Sequence, residues 1–177
     1  MKYLVGKVWT PVYAQIDMKN ATITIKDGGS NEITLKIGEG NLTYTERKTI
    51  EYTLDRGVLD EVREGDEVPV EVRMDVVWEY LTGPSVSSTV ASGGLPTPED
   101  VLKFRGGASA WASTDSDACR PKSVDIEIVY DPDCVGDKET ITLADFRYEQ
   151  IDHDARAGTL SCTGRCNIKD ATVVRAA

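Results

Sequence analysis

The four cysteines of this chain are the residues whose chemistry depends most on spacing. They are Cys119, Cys134, Cys162 and Cys166, which gives the pattern C-x14-C-x27-C-x3-C. Common zinc sites pair two short C-x2–4-C motifs, and this spacing matches none of them. Free thiols, one or two disulfides formed after release from the cell, and a four-thiolate metal site all remain open. On a straight strand Cys162 and Cys166 would lie about 13 Å apart, too far for a disulfide unless a turn at Gly164 brings them together.

The single histidine, His153, lies between two aspartates and could supply metal ligands or an acid–base pair. Successive residues of a strand point to opposite faces of a sheet, so Asp152, His153 and Asp154 cannot easily converge on one ligand. We therefore interpret this stretch as a polar turn between two strands. The glycine-rich segments lack the lysine and helix of a phosphate loop, and no pair among the 30 acidic residues stands out as catalytic. The sequence gives no reason to expect an enzyme or a cofactor.

Composition and charge narrow the class of protein. The chain has 30 acidic and 20 basic residues, a net charge of −10 and 40% hydrophobic residues, which favours one globular domain spanning residues 1–177. Such a negative charge should repel nucleic acid, because affinity for phosphate depends on clustered Lys and Arg. No apolar run approaches the roughly 18 residues of a membrane span, and the first apolar run is too short for a secretory signal. We expect a protein made in the cytoplasm, without a membrane partner.

Most of the chain shows the period-two alternation of apolar and polar residues that is typical of β-strands. The one clear helix is predicted at residues 97–104, with Thr97 as N-cap and Pro98 at the first helical position. The uncharged segment 82–98, rich in Ser, Thr, Gly and Pro, predicts a mobile surface loop. We therefore predict a mainly β fold, an antiparallel β-sandwich or barrel with one short flanking α-helix. The predicted strands are Ala21–Lys26, Glu32–Ile37, Leu42–Leu54, Val68–Tyr80, Ser123–Asp131, Glu139–Ile151 and Gly158–Ile168.

The longest regular alternation follows two predicted turns, at residues 55–57 and 64–66, with a short bridge between them. Every even position from Val68 to Tyr80 is apolar, which predicts one strand with a dry face and a wet face. That strand would span roughly 40 Å, whereas typical strands span about 17–20 Å. Strands of the same chain could cover it by strong coiling, or a neighbouring subunit could pair with it. The pattern leaves both interpretations open.

Two stretches of the sequence resemble a known family. "LDEVREGDEVPVEV" (Leu59–Val72) carries the most specific likeness, and "AGTLSCTGRCN" (Ala157–Asn167) supports it. With "TPEDVLKF" (Thr97–Phe104) between them, the layout of residues 15–170 resembles the tail tube proteins, or major tail proteins, of long-tailed bacteriophages.

The resemblance implies a structural virion protein. Subunits of that family form hexameric rings that stack into a hollow tube. Each subunit contributes strands to a shared inner β-barrel, and a loop or hairpin reaches the adjoining ring. DNA would pass through an acidic lumen during ejection without specific binding, because an acidic wall repels phosphate. The implied partners are other copies of the chain and the terminator, tape measure and tail tip proteins, in a virion tail assembled in the host cytoplasm.

The resemblance also suggests residues for these contacts. The lumen-facing candidates lie on the wet side of the long alternating segment: Glu71, Arg73, Asp75 and Glu79. The inter-ring candidates lie in the loop at 82–98: Ser85, Ser87, Ser88 and Thr89. If the cysteines bind metal or crosslink, they would join the 115–135 region to the last strand.

Two alternative functions accompany this interpretation. The first is a tail terminator, a tail-completion protein or a secretion-type tube protein, which differ from a tail tube subunit in how they assemble. The second belongs to another class: a monomeric β-sandwich that binds a ligand or a surface partner through residues 82–98. Such a binding module should expose Trp78 and Trp111 in one patch rather than bury them.

Overall fold

The computed structural model describes residues 21–35, 37–81, 95–130 and 138–176. This part of the chain is mainly β and antiparallel, as predicted, with one short α-helix, α1, at Pro98–Leu102, and one turn of 3-10 helix at Gly106–Ala108. The strands are β1 Ala21–Lys26, β2 Glu32–Leu35, β3 Ile37–Thr45, β4 Lys48–Asp55, β5 Val58–Glu67, β6 Val70–Val77, β7 Val124–Tyr130, β8 Lys138–Asp154, β9 Thr159–Cys166 and β10 Thr172–Ala176.

Eight of these strands form one antiparallel sheet in the order β2-β1-β7-β8-β9-β6-β3, with β10 paired to the first part of β8. Ile23 and Ile25 of β1 share a single buried core with Val72 and Met74 of β6, although three strands separate β1 from β6. A flat sheet cannot bring these side chains together, so the sheet coils over its own apolar face, which is consistent with a β-sandwich. The core therefore lies inside the coiled sheet.

Strand β6 is shorter than the sequence predicted. Its inward residues Val70, Val72, Met74 and Val76 are buried as the alternation required, but the strand ends at Val77. Its pairing partner β9 begins at Thr159, and the amide of Trp78 donates to the Gly158 carbonyl at 2.8 Å. The residues after Trp78 therefore have no β9 residue to pair with. Both edges of β6 are paired within the chain, by β9 and β3. The predicted strand of roughly 40 Å, long enough to need cover from a neighbouring subunit, is therefore wrong.

Strands β4 and β5 form a separate two-stranded sheet. The predicted turn at 55–57 is confirmed, since Arg56 and Gly57 have φ of 49° and 85°, as a two-residue hairpin turn requires. The predicted turn at 64–66 is wrong, because β5 continues through Gly65 to Glu67. A Cβ at Gly65 would lie 2.8 Å from Cγ2 of Thr49, so this glycine permits close cross-strand contact instead of a turn.

Helix α1 begins as predicted and ends two residues early. The Thr97 side chain accepts the Asp100 amide, the Asp100 carboxylate accepts the Thr97 amide in return, and Pro98 occupies the first turn. The helix ends at Leu102, and Phe104 adopts φ of 51°, which is incompatible with a continuing helix. The predicted mobile loop at 82–98 falls outside the described residues except at 95–98. No helix in the described ranges is long and apolar enough to span a membrane.

Candidate functional site

The outer face of β6 carries three of the four candidate lumen residues. Glu71, Arg73 and Asp75 alternate with the buried residues, which places them together on the outer side of the sheet. Threonines of β3 and β9 flank them and help to line a groove of about 390 Å³. Glu79 lies two residues beyond the end of β6, so the prediction that all four share one strand face is wrong for Glu79.

This outer face carries charges of both signs. Glu71 bonds Arg47 at 3.1 Å and lies 4.0 Å from Arg165, whose guanidinium lies 3.6 Å from Glu149. All four side chains are more than a third exposed, so each pair contributes little to stability in water. The face is thus an alternation of acids and arginines rather than a uniformly acidic surface.

The β4–β5 hairpin carries a surface that sequence reasoning missed. Cross-strand pairs place Tyr52 opposite Val62, and Leu54 opposite Leu59. Five large apolar side chains on this face of the hairpin are 46–65% exposed: Ile50, Tyr52, Leu54, Leu59 and Val62. We call this set the hairpin apolar surface. A contiguous exposed patch of large apolar residues is typical of an interaction site.

The opposite face of the same hairpin is polar apart from Val58, which pairs with Asp55. Arg63 pairs with Glu51 at 2.7 Å, and Thr53 lies on the same side as Glu51 by the strand alternation. One sequence pattern could have indicated these two faces: Ile50, Tyr52 and Leu54 alternate with Glu51 and Thr53 just before a turn. It predicted a half-buried strand, whereas every residue of β4 is exposed. The hairpin therefore has one apolar and one polar face, both in solvent.

Polar contacts fix the base of the hairpin to the sheet. Lys169 Nζ lies 3.3 Å from the Glu67 carboxylate, and the Ala171 amide donates to the Glu46 carboxylate at 2.8 Å. Arg47, in the two-residue link between β3 and β4, reaches Glu71 on the outer face of β6. All of these contacts lie at the base of the hairpin.

A second exposed apolar surface lies past the other end of β6. Trp78, Tyr80 and Leu95 are 41%, 72% and 46% exposed, and the Leu81 amide bonds the Pro96 carbonyl, which brings the two segments together. We call Trp78, Tyr80 and Leu95 the aromatic surface. Trp111 is 3% exposed and belongs to the core, so the two tryptophans do not form the single patch expected of a binding module.

His153 lies in β8 rather than in the predicted turn, and it contacts the aromatic surface. Its ring meets Trp78 edge-on with centroids 5.1 Å apart, and its Nε2 lies 3.0 Å from the buried carboxylate of Glu99. Lys103 and Arg105 also contact Glu99, at 2.6 and 2.7 Å. Burial by itself raises the pKa of Glu99, but hydrogen bonds from Lys103 and His153 and the nearby cations lower it to about 2. This cluster ties α1 to the end of β8.

The described cysteines are free thiols. Cys162 and Cys166 are buried on the inner face of β9, and burial raises the pKa of both thiols to about 12. Cys119 is exposed, and Cys134 lies outside the described residues. In the described ranges, no group of three or more His, Cys, Asp or Glu residues could hold a metal ion. Cys162 and Cys166 therefore act as small apolar core residues.

The inter-ring candidates Ser85, Ser87, Ser88 and Thr89 lie outside the described residues. The candidate surfaces within the described residues are the outer face of β6, the hairpin apolar surface and the aromatic surface.

Comparisons with known proteins add one distant likeness. No protein-family model matches the sequence, and no curated protein matches it. The fold is similar to a chain in the "Cryo-EM structure of the anti-feeding prophage (AFP) baseplate, 6-fold symmetrised". The alignment has 12% identity and a TM-score of 0.39, and covers 94% of this chain and 97% of that chain. A likeness at this level carries no argument about function, which must come from the surfaces themselves.

Proposed function

We propose that this chain is a structural virion protein, a tail tube subunit whose copies form hexameric rings that stack into a hollow tube. The observation that carries the proposal is the hairpin apolar surface. The hairpin leaves the sheet on a polar base, and this face exposes five large apolar side chains to water. The resemblance of Leu59–Val72 to tail tube proteins covers β5 and the start of β6, the same part of the chain.

The energetics of the hairpin favour a partner. Burying one large apolar side chain contributes about 1.5–3 kcal/mol, so covering several of the five would offset much of the cost of association. A lone two-stranded ribbon is at best marginally stable in water, and docking onto another subunit gives its apolar face a surface to pack against. A second copy of the chain is the partner that a tail tube subunit always has available.

In this proposal the outer face of β6 lines the lumen. Glu71, Asp75 and Glu149 supply negative charge, and Glu71 and Glu149 lie 4.0 and 3.6 Å from the Arg165 guanidinium and partly offset its charge. A lumen with charge of this kind allows DNA to pass without tight, salt-dependent binding, which requires several unpaired cations. The terminator, tape measure and tail tip proteins would be further partners in the virion tail. We propose this structural role in place of an enzymatic one.

Negative-stain electron microscopy of the purified protein over a concentration series, with sedimentation velocity alongside, tests the proposal. We expect rings and stacked rings from the wild type. Leu54→Asp should abolish stacking because it introduces a charge into the hairpin apolar surface. Thr53→Gln, on the polar face of the same hairpin, should stack like the wild type. A wild-type protein that stays monomeric at every concentration would overturn the proposal.

The same experiment separates the two alternatives. Rings that form but never stack would favour a tail terminator or completion protein. A monomer that binds a glycan or a surface partner would favour the binding module. The exposure of Trp78 and Tyr80 is the observation on its side, and the burial of Trp111 stands against it.

A further inference from the structure

A polar cluster joins the sheet to the segment that follows Trp111. We call residues 112–123 the strap; none of them belongs to the hydrophobic core of the described chain, so polar contacts hold the strap in place. Beneath the strap, β7 and β8 pair through a bulge in which Asp125 lies opposite Ala144 and Asp145. Asp145 has φ of 54°, a left-handed conformation that aspartate tolerates better than most residues. A bulge redirects a side chain, and this one brings Asp145 to the strap.

Hydroxyl groups of the strap contact both carboxylates. Thr114 Oγ1 lies 2.8 Å from Asp145 Oδ1, and Ser123 Oγ lies 3.1 Å from the same oxygen and 2.8 Å from Thr114 Oγ1. Thr114 also hydrogen-bonds the carboxylate of Asp125, whose Oδ1 accepts the Asp145 amide at 2.9 Å. Each hydroxyl has one proton, so two hydroxyls cannot fill these four contacts between oxygens. Ser123 is only 1% exposed, which keeps water from supplying further donors, so the cluster lacks a proton.

We propose that Asp125 and Asp145 form a proton-dependent latch for the strap. When the pair takes up one proton, the carboxyl group donates a hydrogen bond within the cluster, and the strap is held against the sheet. When the pair loses that proton, two negative charges lie side by side with too few donors, and the strap loosens. The latch goes beyond the proposed function, because it belongs to the single chain and operates whether or not copies assemble.

Charged and titratable groups on the surrounding elements lie near the pair: Lys26 of β1, Glu127 of β7, Arg147 of β8, Cys166 of β9 and Asp115 of the strap. Both cations are engaged with other acids, Lys26 with Glu127 at 2.8 Å and Arg147 with Asp115 at 2.6 Å. They therefore offset the charge of the pair only in part.

The direction of the pH dependence follows from the surroundings of Asp125. Burial has the largest effect on the pKa of Asp125 and raises it; the Asp145 amide lowers it, the Asp145 charge raises it again, and the pKa lies above 3.8. A pKa that folding raises means that the proton stabilises the fold below the unfolded-state pKa. This stabilisation is lost as the pH rises through the folded-state pKa. The latch is therefore closed in acid and loosened at neutral pH.

Hydrogen exchange of the strap in the full-length chain, followed by mass spectrometry from pH 7 to about pH 4, tests the latch. After correction for the intrinsic exchange rate at each pH, protection of the wild-type strap should rise as the pH falls. Asp125→Asn supplies an amide donor at every pH. Its strap should be roughly three- to tenfold better protected than that of the wild type at pH 7, as expected for one added hydrogen bond, and should change little with pH. Asp145→Asn should act in the same way, because asparagine also tolerates positive φ.

Asp117→Asn is the matched control. Asp117 lies in the same strap and accepts the Cys119 amide, but it is exposed and lies outside the cluster, so this variant should follow the wild type at every pH. The double variant at Asp125 and Asp145 should gain no more than either single variant, since each alone already removes the opposed charges.

Two results would overturn the latch. One is wild-type protection that does not change with pH, or lower protection at pH 7 in both Asp125→Asn and Asp145→Asn than in the wild type. The other is a double variant whose gain equals the sum of the single gains, because the two carboxylates would then act independently.

Discussion

Asp27, at the turn between β1 and β2, shows how one residue connects two distant segments. It is 7% exposed and accepts the amides of Gly29, Asn31 and Ala112 at 2.9–3.0 Å, together with the Asn31 side chain. The Ala112 contact spans 85 residues of sequence and anchors the irregular segment after α1 to the sheet. Burial by itself raises the pKa of Asp27, but the amide of Ala112 and the donors of Asn31 outweigh it and lower the pKa below 3.8.

We predict that Asp27→Ala lowers the free energy of unfolding by about 2–3 kcal/mol at pH 7, because it leaves buried amides without an acceptor. Folding lowers the pKa of Asp27, so the ionised carboxylate stabilises the protein at any pH above its unfolded-state pKa. This stabilisation is lost as the pH falls through the folded-state pKa. The free energies of unfolding of the variant and the wild type should then converge. Urea unfolding at pH 7 and below pH 3.8 measures both effects.

Asp117→Ala is the control for this prediction. Asp117 also accepts a backbone amide, from Cys119, but it is exposed, so water can replace the carboxylate. Its loss should cost well under about 1 kcal/mol. An equal loss of stability in both variants would contradict the role assigned to Asp27.

At the scale of elements, the attachment of α1 depends on Glu99. A helix of five residues has little stability of its own. Its capping box fixes where it starts, and the contacts of Glu99 with Lys103, Arg105 and His153 fix where it lies. Because His153 also contacts Trp78, this cluster joins α1, β8 and the segment after β6.

We predict that Glu99→Gln lowers the free energy of unfolding by about 1–3 kcal/mol at neutral pH, because it leaves two cations and a histidine without a buried counter-charge. The folded-state pKa is about 2 and the ordinary value is 4.5, so the stabilisation is fully present above pH 4.5 and declines as pH falls towards 2. A series of urea midpoints across this range measures the effect. Glu51→Gln, in an exposed hairpin pair, should change stability by less than about 0.5 kcal/mol. A pH-independent deficit for Glu99→Gln would argue against the charge as its cause.

At the scale of the whole molecule, the hairpin and the coiled sheet have separate roles. Every buried apolar residue of the core lies outside β4 and β5 in the described part of the chain. Lys48 and Glu67 face each other at the base of the hairpin, so a two-residue turn can join them. The sheet should therefore fold without the hairpin, while assembly should not occur without it.

We predict that replacing residues 49–66 with Asn-Gly yields a folded monomer. Its thermal midpoint should lie within a few degrees of that of the wild-type monomer, because no core contact is removed. It should form no stacks at concentrations at which the wild type forms them. Thermal unfolding by circular dichroism and sedimentation velocity measure the two properties, and loss of cooperative unfolding would show that the hairpin supports the sheet.

The sequence by itself determined the features that depend on local pattern. Strict alternation predicted the bounds of β1 and the inward-facing residues of β6. The Thr97–Pro98 pair predicted the start of α1. Both succeed because side-chain direction and helix capping depend on neighbours along the chain. The hairpin turn at Arg56–Gly57 followed from turn composition in the same way. The short strand β10, whose residues are all exposed, gave no clear alternation and was missed.

Only the tertiary structure decided features that depend on which strand pairs with which. The end of β6 at Val77 follows from the start of β9, some 80 residues later, and no local signal marks it. The alternation of β4 marks an apolar face correctly, but no other element of the described chain packs on that face, so it stays exposed. His153 likewise acquired its contacts from α1 and Trp78 rather than from its flanking aspartates. Period and capping are encoded locally, whereas pairing and exposure arise from contacts between residues far apart in sequence.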